Sequence, residues 1–249
     1  MDRRAALLSA GAFCVHCIAA GQAQALDDTG AGPCSIELSG ALPTDFVPWN
    51  STRDQVEPSS QIAALDSALG VILVHMSQFF GVQPEFGFIV EDEFPNAFAS
   101  RGNPNGYRDG TVAFGRKLLE EQLAKPNGDF SVLAICAHEF GHIRQYRDGI
   151  IGRIESSTMP RYCVELHADF SAGAFVAYWK RRMRPEHLLS IGSTWSGLGS
   201  SDFNRPGSHG TTVQRVKAIE SGFYFRDGVH DASVEDIMQA GLDHVAQYG

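Results

Sequence analysis

The sequence predicts an α+β fold in which a small sheet packs against several helices. Short apolar stretches at residues 85–91, 96–100 and 111–114 are typical of strands, and the first of them alternates apolar and polar side chains. The segments before and after this region instead repeat apolar residues at helical spacing. With 249 residues, of which 43% are hydrophobic and 20% charged, the chain has the composition of a soluble globular domain with one core.

The first segment, residues 1–25, is predicted to be a signal peptide. Two arginines precede an apolar run over residues 5–20, and residues 23–25 have the small-x-small form of a signal-peptidase site. Cleavage after Ala25 and export to the periplasm or the medium are therefore expected. The paired arginines also resemble a twin-arginine signal. An ordinary N-terminal helix is the alternative interpretation, because alanine and leucine favour both kinds of segment.

The rest of the chain divides into an N-terminal arm and one folded domain. Residues 26–57 are rich in Gly, Pro, Ser and Asp, which favours an extended arm, and residues 58–249 form the domain. Besides two central helices described below, apolar spacing predicts helices at 59–80, 116–124, 188–195, 211–223 and 234–248.

The first central helix contains the motif H-E-x-x-H at residues 138–142, within an apolar run. Residues four apart lie on the same face of a helix, so His138 and His142 can hold one cation while Glu139 lies over its open side. Zinc suits two imidazoles and a carboxylate, and it leaves a fourth position for water. The motif predicts one zinc ion per chain and requires a third ligand downstream.

Glu165 is the predicted third ligand, on a second helix that begins near residue 160. A turn over residues 148–158 would let this helix fold back on the first. Asp169 lies one turn beyond Glu165 and can accept the free ring N–H of a ligand histidine. The alternative is an ordinary surface helix, but the offset of Glu165 and Asp169 favours the metal site.

These residues resemble the gluzincin pattern of HExxH followed by ExxxD. Residues 95–99 resemble the N-A-F segment of minigluzincin-type peptidases. Residues 209–216 resemble the H-G-T/S-x-x-Q-R segment of bacterial putative neutral zinc metallopeptidases. The similarity covers about residues 88–223 and implies a zincin-like fold with the site between the two central helices.

The resemblance also implies an activity, which is hydrolysis of peptide bonds in a protein or peptide substrate. Glu139 would act as general base on a zinc-activated water. His209 would stabilise the oxyanion, with Asn96 as a second possibility; the alternative for His209 is a helix-capping or core histidine. In the family an edge strand binds substrate by strand addition. Here that strand would contain Asn96, Ala97 and Phe98, and a plain buried strand is the alternative.

The number of cysteines limits the disulfides that can form. Cleavage of the signal would leave Cys34, Cys136 and Cys163, hence at most one internal disulfide; we expect Cys34–Cys163 if one forms.

The formal net charge of −9 argues against a nucleic-acid partner. No stretch predicts stable membrane insertion. Two other functions remain open: an inactive zincin that binds peptide or protein, and a zinc hydrolase of a non-peptide amide.

Overall fold

The computed structural model describes residues 34–37 (backbone only), 56–91, 95–101, 109–180, 183–198 and 209–249. The predicted signal peptide and most of the predicted arm lie outside these residues. Within them the chain has the predicted α+β fold. The strands are β1 (Cys34–Glu37), β2 (Glu85–Ile89), β3 (Asn96–Ser100) and β4 (Thr111–Gly115). The helices are α1 (Ala63–Phe80), α2 (Arg116–Leu123), α3 (Gly128–Asp148), α4 (Ile150–Glu155), α5 (Cys163–Trp179), α6 (Pro185–Leu198), α7 (Thr212–Gly228) and α8 (Val234–Val245).

The strands form one mixed sheet in the order β1-β3-β4-β2. β3 is antiparallel to both of its neighbours, and β2 is parallel to β4. The three strands expected from the sequence are confirmed, whereas β1 was not expected because it lies within the predicted arm. The sheet packs on α3 through buried side chains such as Ala97, Val112 and Phe114.

The prediction that residues 96–99 form the edge of the sheet is wrong. β1 pairs with β3 along its whole length, with Glu37 opposite Asn96 and Cys34 opposite Ala99. The extended arm thus provides the main-chain hydrogen bonds that an edge strand would offer to another peptide. β3 is therefore an interior strand.

The connection between the two central helices also differs from the prediction. Residues 148–158 were expected to form a turn, but they contain the short helix α4. Gly149 ends α3 in the left-handed conformation, with φ of 66°. Its neighbours Ile150, Ile151 and Ile154 have helical spacing and pack in a buried cluster with Val164 of α5. Burial of this apolar face explains the extra helix.

α5 and α7 pack in direct backbone contact. A Cβ added at Gly173 would lie 1.9 Å from the carbonyl oxygen of Ile219, and one at Gly222 would lie 1.8 Å from that of Phe170. Only glycine fits at either point, because these distances are far shorter than van der Waals contact. The crossing holds the N-terminal half of α7 close to the residues of α5 that face the site.

One helix of the described residues, α1, is long and apolar enough to cross a membrane by length and composition. Its Leu69, Met76 and Phe80 are buried in the core that includes α3. Phe80 also accepts a hydrogen bond from Arg144 of α3 through its carbonyl oxygen, at 2.9 Å. These contacts are those of a helix packed on a globular domain.

The expected Cys34–Cys163 disulfide is wrong, because Cys163 is a free thiol, as is Cys136. Both are buried among apolar residues. Burial raises the pKa of Cys163 to about 11, so it is protonated at neutral pH. The two thiols behave as small hydrophobic side chains.

Candidate metal centre

The centre lies between α3 and α5, where three candidate ligand side chains converge. His138 and His142 are one helical turn apart on α3, and Glu165 is in the first turn of α5. The two Nε2 atoms are 3.0 Å apart. Glu165 Oε2 lies 3.4 Å from Nε2 of His138, and Glu165 Oε1 lies 3.6 Å from Nε2 of His142. All three residues are buried.

These distances have the size expected for ligands of one small cation. Ligand atoms about 2.0–2.1 Å from a tetrahedral ion lie roughly 3.3 Å from each other. The observed separations of 3.0, 3.4 and 3.6 Å, the last two to different oxygens of Glu165, fall on both sides of that value. Among the described residues, this is the one group of His, Cys, Asp and Glu side chains with such geometry. The buried triad can therefore hold a metal ion.

The structure brings Asp169 to His138, as the sequence predicted. Asp169 Oδ1 lies 2.8 Å from Nδ1 of His138, on the ring edge opposite the ligand atom. Burial raises the pKa of Asp169, but the adjacent Arg215 guanidinium outweighs it and holds the pKa at about 2. The carboxylate is therefore ionised, and it favours the His138 tautomer whose Nε2 lone pair is free for a metal.

Two further residues that support Asp169 were not identified from the sequence. Arg215 of α7 donates to both carboxylate oxygens, through Nε and Nη2, each at 2.8 Å. Trp195 of α6 donates from Nε1 to Oδ1 at 2.7 Å. All three side chains are fully buried, so Arg215 supplies the counter-charge that a buried carboxylate needs. Arg215 belongs to the Q-R pair of the segment 209–216, so the resemblance of that segment could have identified it as a site residue.

His142 has a different supporting residue, Gln145. Gln145 Oε1 lies 2.8 Å from Nδ1 of His142. The same amide contacts His167, which in turn contacts the Met238 carbonyl of α8. His167 therefore supports the site indirectly, through Gln145. Gln145 was not identified, although its i+3 spacing from His142 was a usable signal.

His209 reaches the centre, but its contact is with the candidate ligand Glu165. Its Nδ1 lies 2.9 Å from Oε2 of Glu165. The residues that follow connect it to α7: Gly210 turns the chain with φ of 85°, and Thr211 caps the N-terminus of α7 in a capping box with Gln214. His209 and other nearby histidines keep the pKa of Glu165 well below its ordinary value although burial opposes this. The oxyanion role of His209 stays a prediction.

Glu139 lies next to this cluster and is fully buried. Neither of its carboxylate oxygens has a hydrogen-bond partner in the described part of the chain. Burial raises the pKa of Glu139 to about 8, with the Glu165 charge adding to the effect and the His142 charge opposing it. A buried carboxyl group without a partner has a high desolvation cost, which is typical of a functional position.

The predicted substrate residues lie in β3. The backbone N–H of Asn96 donates to Glu91 at 3.2 Å, and the side chains of Ala97 and Phe98 are buried. Their role in substrate binding stays a prediction, and a substrate strand would have to replace β1 beside them.

Comparisons of the chain with known proteins gave no match to a family model, to a curated protein or to a solved structure.

Proposed function

We propose that the protein is an exported zinc-dependent peptidase of the gluzincin type with a zincin-like fold. The observation that supports this most strongly is the combination of two features in one buried centre. The two imidazole Nε2 atoms and the nearer Glu165 oxygen to each lie 3.0–3.6 Å apart, which is close to the separations in a tetrahedral zinc site. The unpartnered carboxylate of Glu139 lies beside them. Two imidazoles, one carboxylate and an open fourth position are typical of catalytic zinc, whereas structural sites have four protein ligands.

His138, His142 and Glu165 would hold the zinc ion in this proposal. The bound ion would lower the pKa of a water molecule and polarise the substrate carbonyl. Glu139 would take the proton of that water and later give it to the leaving amine, as a general base and then a general acid. Its raised pKa of about 8 reflects burial, and a nearby divalent cation would favour the ionised form that a base needs.

The substrate is proposed to be an extended peptide that pairs with β3. The antiparallel pairing of β1 with Asn96–Ala99 supports this proposal, because a peptide that replaced β1 could pair with β3 in the same way. A peptide substrate would have to exchange with the arm, and Asn96, Ala97 and Phe98 would then contact it. Recognition through main-chain hydrogen bonds tolerates many sequences.

Substitution of the two carboxylates by their amides tests the proposal. Glu139→Gln keeps the size of the side chain and removes proton acceptance, so zinc should stay bound while hydrolysis of a panel of unfolded proteins falls by about 10²–10⁴-fold. Glu165→Gln removes a ligand anion, and zinc affinity should fall together with activity. Glu155→Gln, an exposed position on α4, is a matched control that should change neither.

The burial of the centre favours a second candidate function. His138, Glu139 and His142 are each 0% exposed, so a substrate reaches them only if covering residues move. An inactive zincin that binds peptide or protein would keep this closed form. Wild type that retains zinc, binds peptides and cleaves none of the panel would establish this alternative, and activity of Glu139→Gln equal to wild type would contradict the proposed mechanism.

Export is proposed from residues 1–25 alone. N-terminal sequencing of the protein from its native host should give a chain that begins at or near Leu26 in the periplasmic or secreted fraction. An intact Met1 start in the cytoplasmic fraction would contradict this part of the proposal.

A further inference from the structure

A chain of hydrogen bonds runs from the candidate ligand His142 through α5 to the backbone of α8. His142 Nδ1 contacts Gln145 Oε1 at 2.8 Å, Gln145 Nε2 contacts His167 Nδ1 at 2.9 Å, and His167 Nε2 contacts the Met238 carbonyl oxygen at 3.0 Å. His142, Gln145 and His167 are each 0% exposed. The three side chains therefore bond to one another in a site shielded from solvent.

The direction of every bond in this chain is determined by its fixed end. The Met238 carbonyl can only accept, so Nε2 of His167 donates to it, and Nδ1 of the neutral ring is an acceptor. That acceptor faces the NH₂ group of Gln145.

A second contact fixes the amide of Gln145 independently. The same Nε2 atom donates to the carbonyl oxygen of Val164 at 2.8 Å. Both amide hydrogens thus have acceptors, and rotation of the amide by 180° would place its oxygen against two acceptors. Oε1 must face His142, and an amide oxygen can only accept.

The protonation of His142 follows from this orientation. Because Gln145 Oε1 accepts, Nδ1 of His142 carries the proton, and Nε2 presents its lone pair to the ligand cluster. We propose that Gln145 is a positioning residue that fixes the metal-binding tautomer and ring angle of His142, with its amide held by Val164 and His167. The inference rests on the metal-binding part of the proposed function, and it adds a residue that the ligand motif itself does not include.

Gln145→Leu tests the inference because leucine fills similar space without an acceptor. Zinc affinity, measured by competition with a chelating dye, should fall by about 10–100-fold, which is typical for loss of a residue that orients a ligand. Gln122→Leu is the matched control: Gln122 is equally buried, lies on α2 and bonds to Lys125. It should leave zinc affinity unchanged.

Nitrogen-15 NMR of the histidine rings separates positioning from packing. In wild type, both as purified and after chelation, His142 should show a proton on Nδ1 and none on Nε2. Gln145→Leu should populate the Nε2–H tautomer, whereas Gln145→Glu, which keeps an acceptor, should retain the Nδ1–H tautomer. His167→Leu should have a smaller effect than Gln145→Leu, because Val164 still holds the amide.

The outcomes are distinguishable from those of the proposed function. An Nε2–H tautomer of His142 in wild-type protein after chelation would overturn the inference, and this measurement does not depend on any variant folding. Equal losses of affinity in Gln145→Leu and Gln145→Glu with the Nδ1–H tautomer unchanged would also overturn it. Failure of wild type to cleave peptides, with the tautomers as expected, would refute the peptidase and leave the role of Gln145 intact.

Discussion

The two histidines of the centre are positioned by different side chains, one charged and one neutral. Behind His138 is the ionised carboxylate of Asp169, whose charge is balanced by Arg215. Behind His142 is the neutral amide of Gln145, whose hydrogen bonds end on backbone carbonyls. The first arrangement joins α3 to α5, α6 and α7, and the second joins α3 to α5 and α8.

Because one support is charged and the other is neutral, the two are disrupted by different changes. A buried carboxylate stabilises its partner strongly but requires a counter-charge, so loss of either member leaves an uncompensated charge in the interior. A buried amide has no net charge, but all of its donors and acceptors must be satisfied for the site to be stable. We call His138, Asp169, Arg215 and Trp195 the His138 side, and His142, Gln145 and His167 the His142 side. The stability of the His138 side should be sensitive to charge removal. That of the His142 side should be sensitive to protonation of a buried histidine.

The largest expected effect is that of Asp169→Ala. It leaves Arg215 buried without its partner, and such breaks cost about 3–5 kcal/mol in the free energy of unfolding. Urea denaturation of wild type and variant measures this loss, and zinc titration should show a parallel fall in affinity.

The double variant Asp169→Ala with Arg215→Met separates the two consequences. Removal of both charges should recover much of the stability, whereas zinc affinity should stay low because His138 has lost the carboxylate beside its Nδ1. Recovery of both quantities would show that Asp169 supports only the fold and not the ligand.

The next largest effect is expected for Gly222→Ala at the crossing of α5 and α7. The new methyl group would meet the Phe170 carbonyl oxygen, so α7 must shift and take Arg215 with it. Overpacking of this kind costs about 1–3 kcal/mol, which urea denaturation will measure. The His142 side has no residue on α7, so the Nδ1–H tautomer of His142 should be unchanged. Gly228→Ala, where a methyl group meets open space, is the matched control.

A smaller effect, of about 2 kcal/mol between pH 7 and pH 5, is expected from His167. Burial lowers its pKa from 6.5 to about 4, so the folded state resists a proton that the unfolded chain binds. The contribution of neutral His167 to the free energy of unfolding is fully present above about pH 6.5, and it is lost as the pH falls toward 4. The pKa of Asp169 is lowered from 3.8 to about 2, so the contribution of this carboxylate to stability is lost only below about pH 4.

Urea midpoints at pH 7 and pH 5 for wild type and His167→Leu measure this difference. The variant should lose about 2 kcal/mol less than wild type over that interval, since all other titrating groups are common to both. Equal losses in the two proteins would show that protonation of His167 does not destabilise the His142 side.

The smallest effect is expected for Trp195→Phe. It removes one of several donors to Asp169 and keeps most of the ring, so the loss should be about 1 kcal/mol. Thermal unfolding should show a small decrease in midpoint. A loss as large as that of Asp169→Ala would mean that Trp195, and not Arg215, is the main partner of the carboxylate.

The sequence predicted the parts of the centre that depend on helical spacing. His138, Glu139 and His142 follow from one turn of α3, and Glu165 and Asp169 follow from one turn of α5. The α+β class and three strands were predicted from apolar spacing alone. These features are local, so the periodicity of one element determines them.

The features that the sequence did not predict depend on contacts between segments that are distant in the chain. Arg215 and Trp195 meet Asp169 only because α6 and α7 pack on α5, and no local pattern shows that the α5–α7 crossing is close. The pairing of β1 with β3 joins residues about sixty positions apart, so the sequence of β3 did not show that the edge implied by the resemblance is covered. The expected disulfide failed for the same reason, because Cys163 packs beside Val245 of α8.

The metal content of the purified protein and its histidine variants tests the proposed metal centre most directly. Wild type should contain about one zinc per chain by mass spectrometry of the metal, and X-ray absorption should show nitrogen and oxygen ligands at about 2.0–2.1 Å. His138→Ala and His142→Ala should each abolish this zinc, whereas His230→Ala, at an exposed position, should retain it. Stoichiometric zinc in both ligand variants, or sulfur in the ligand shell of wild type, would contradict the assignment of His138, His142 and Glu165 as the metal centre.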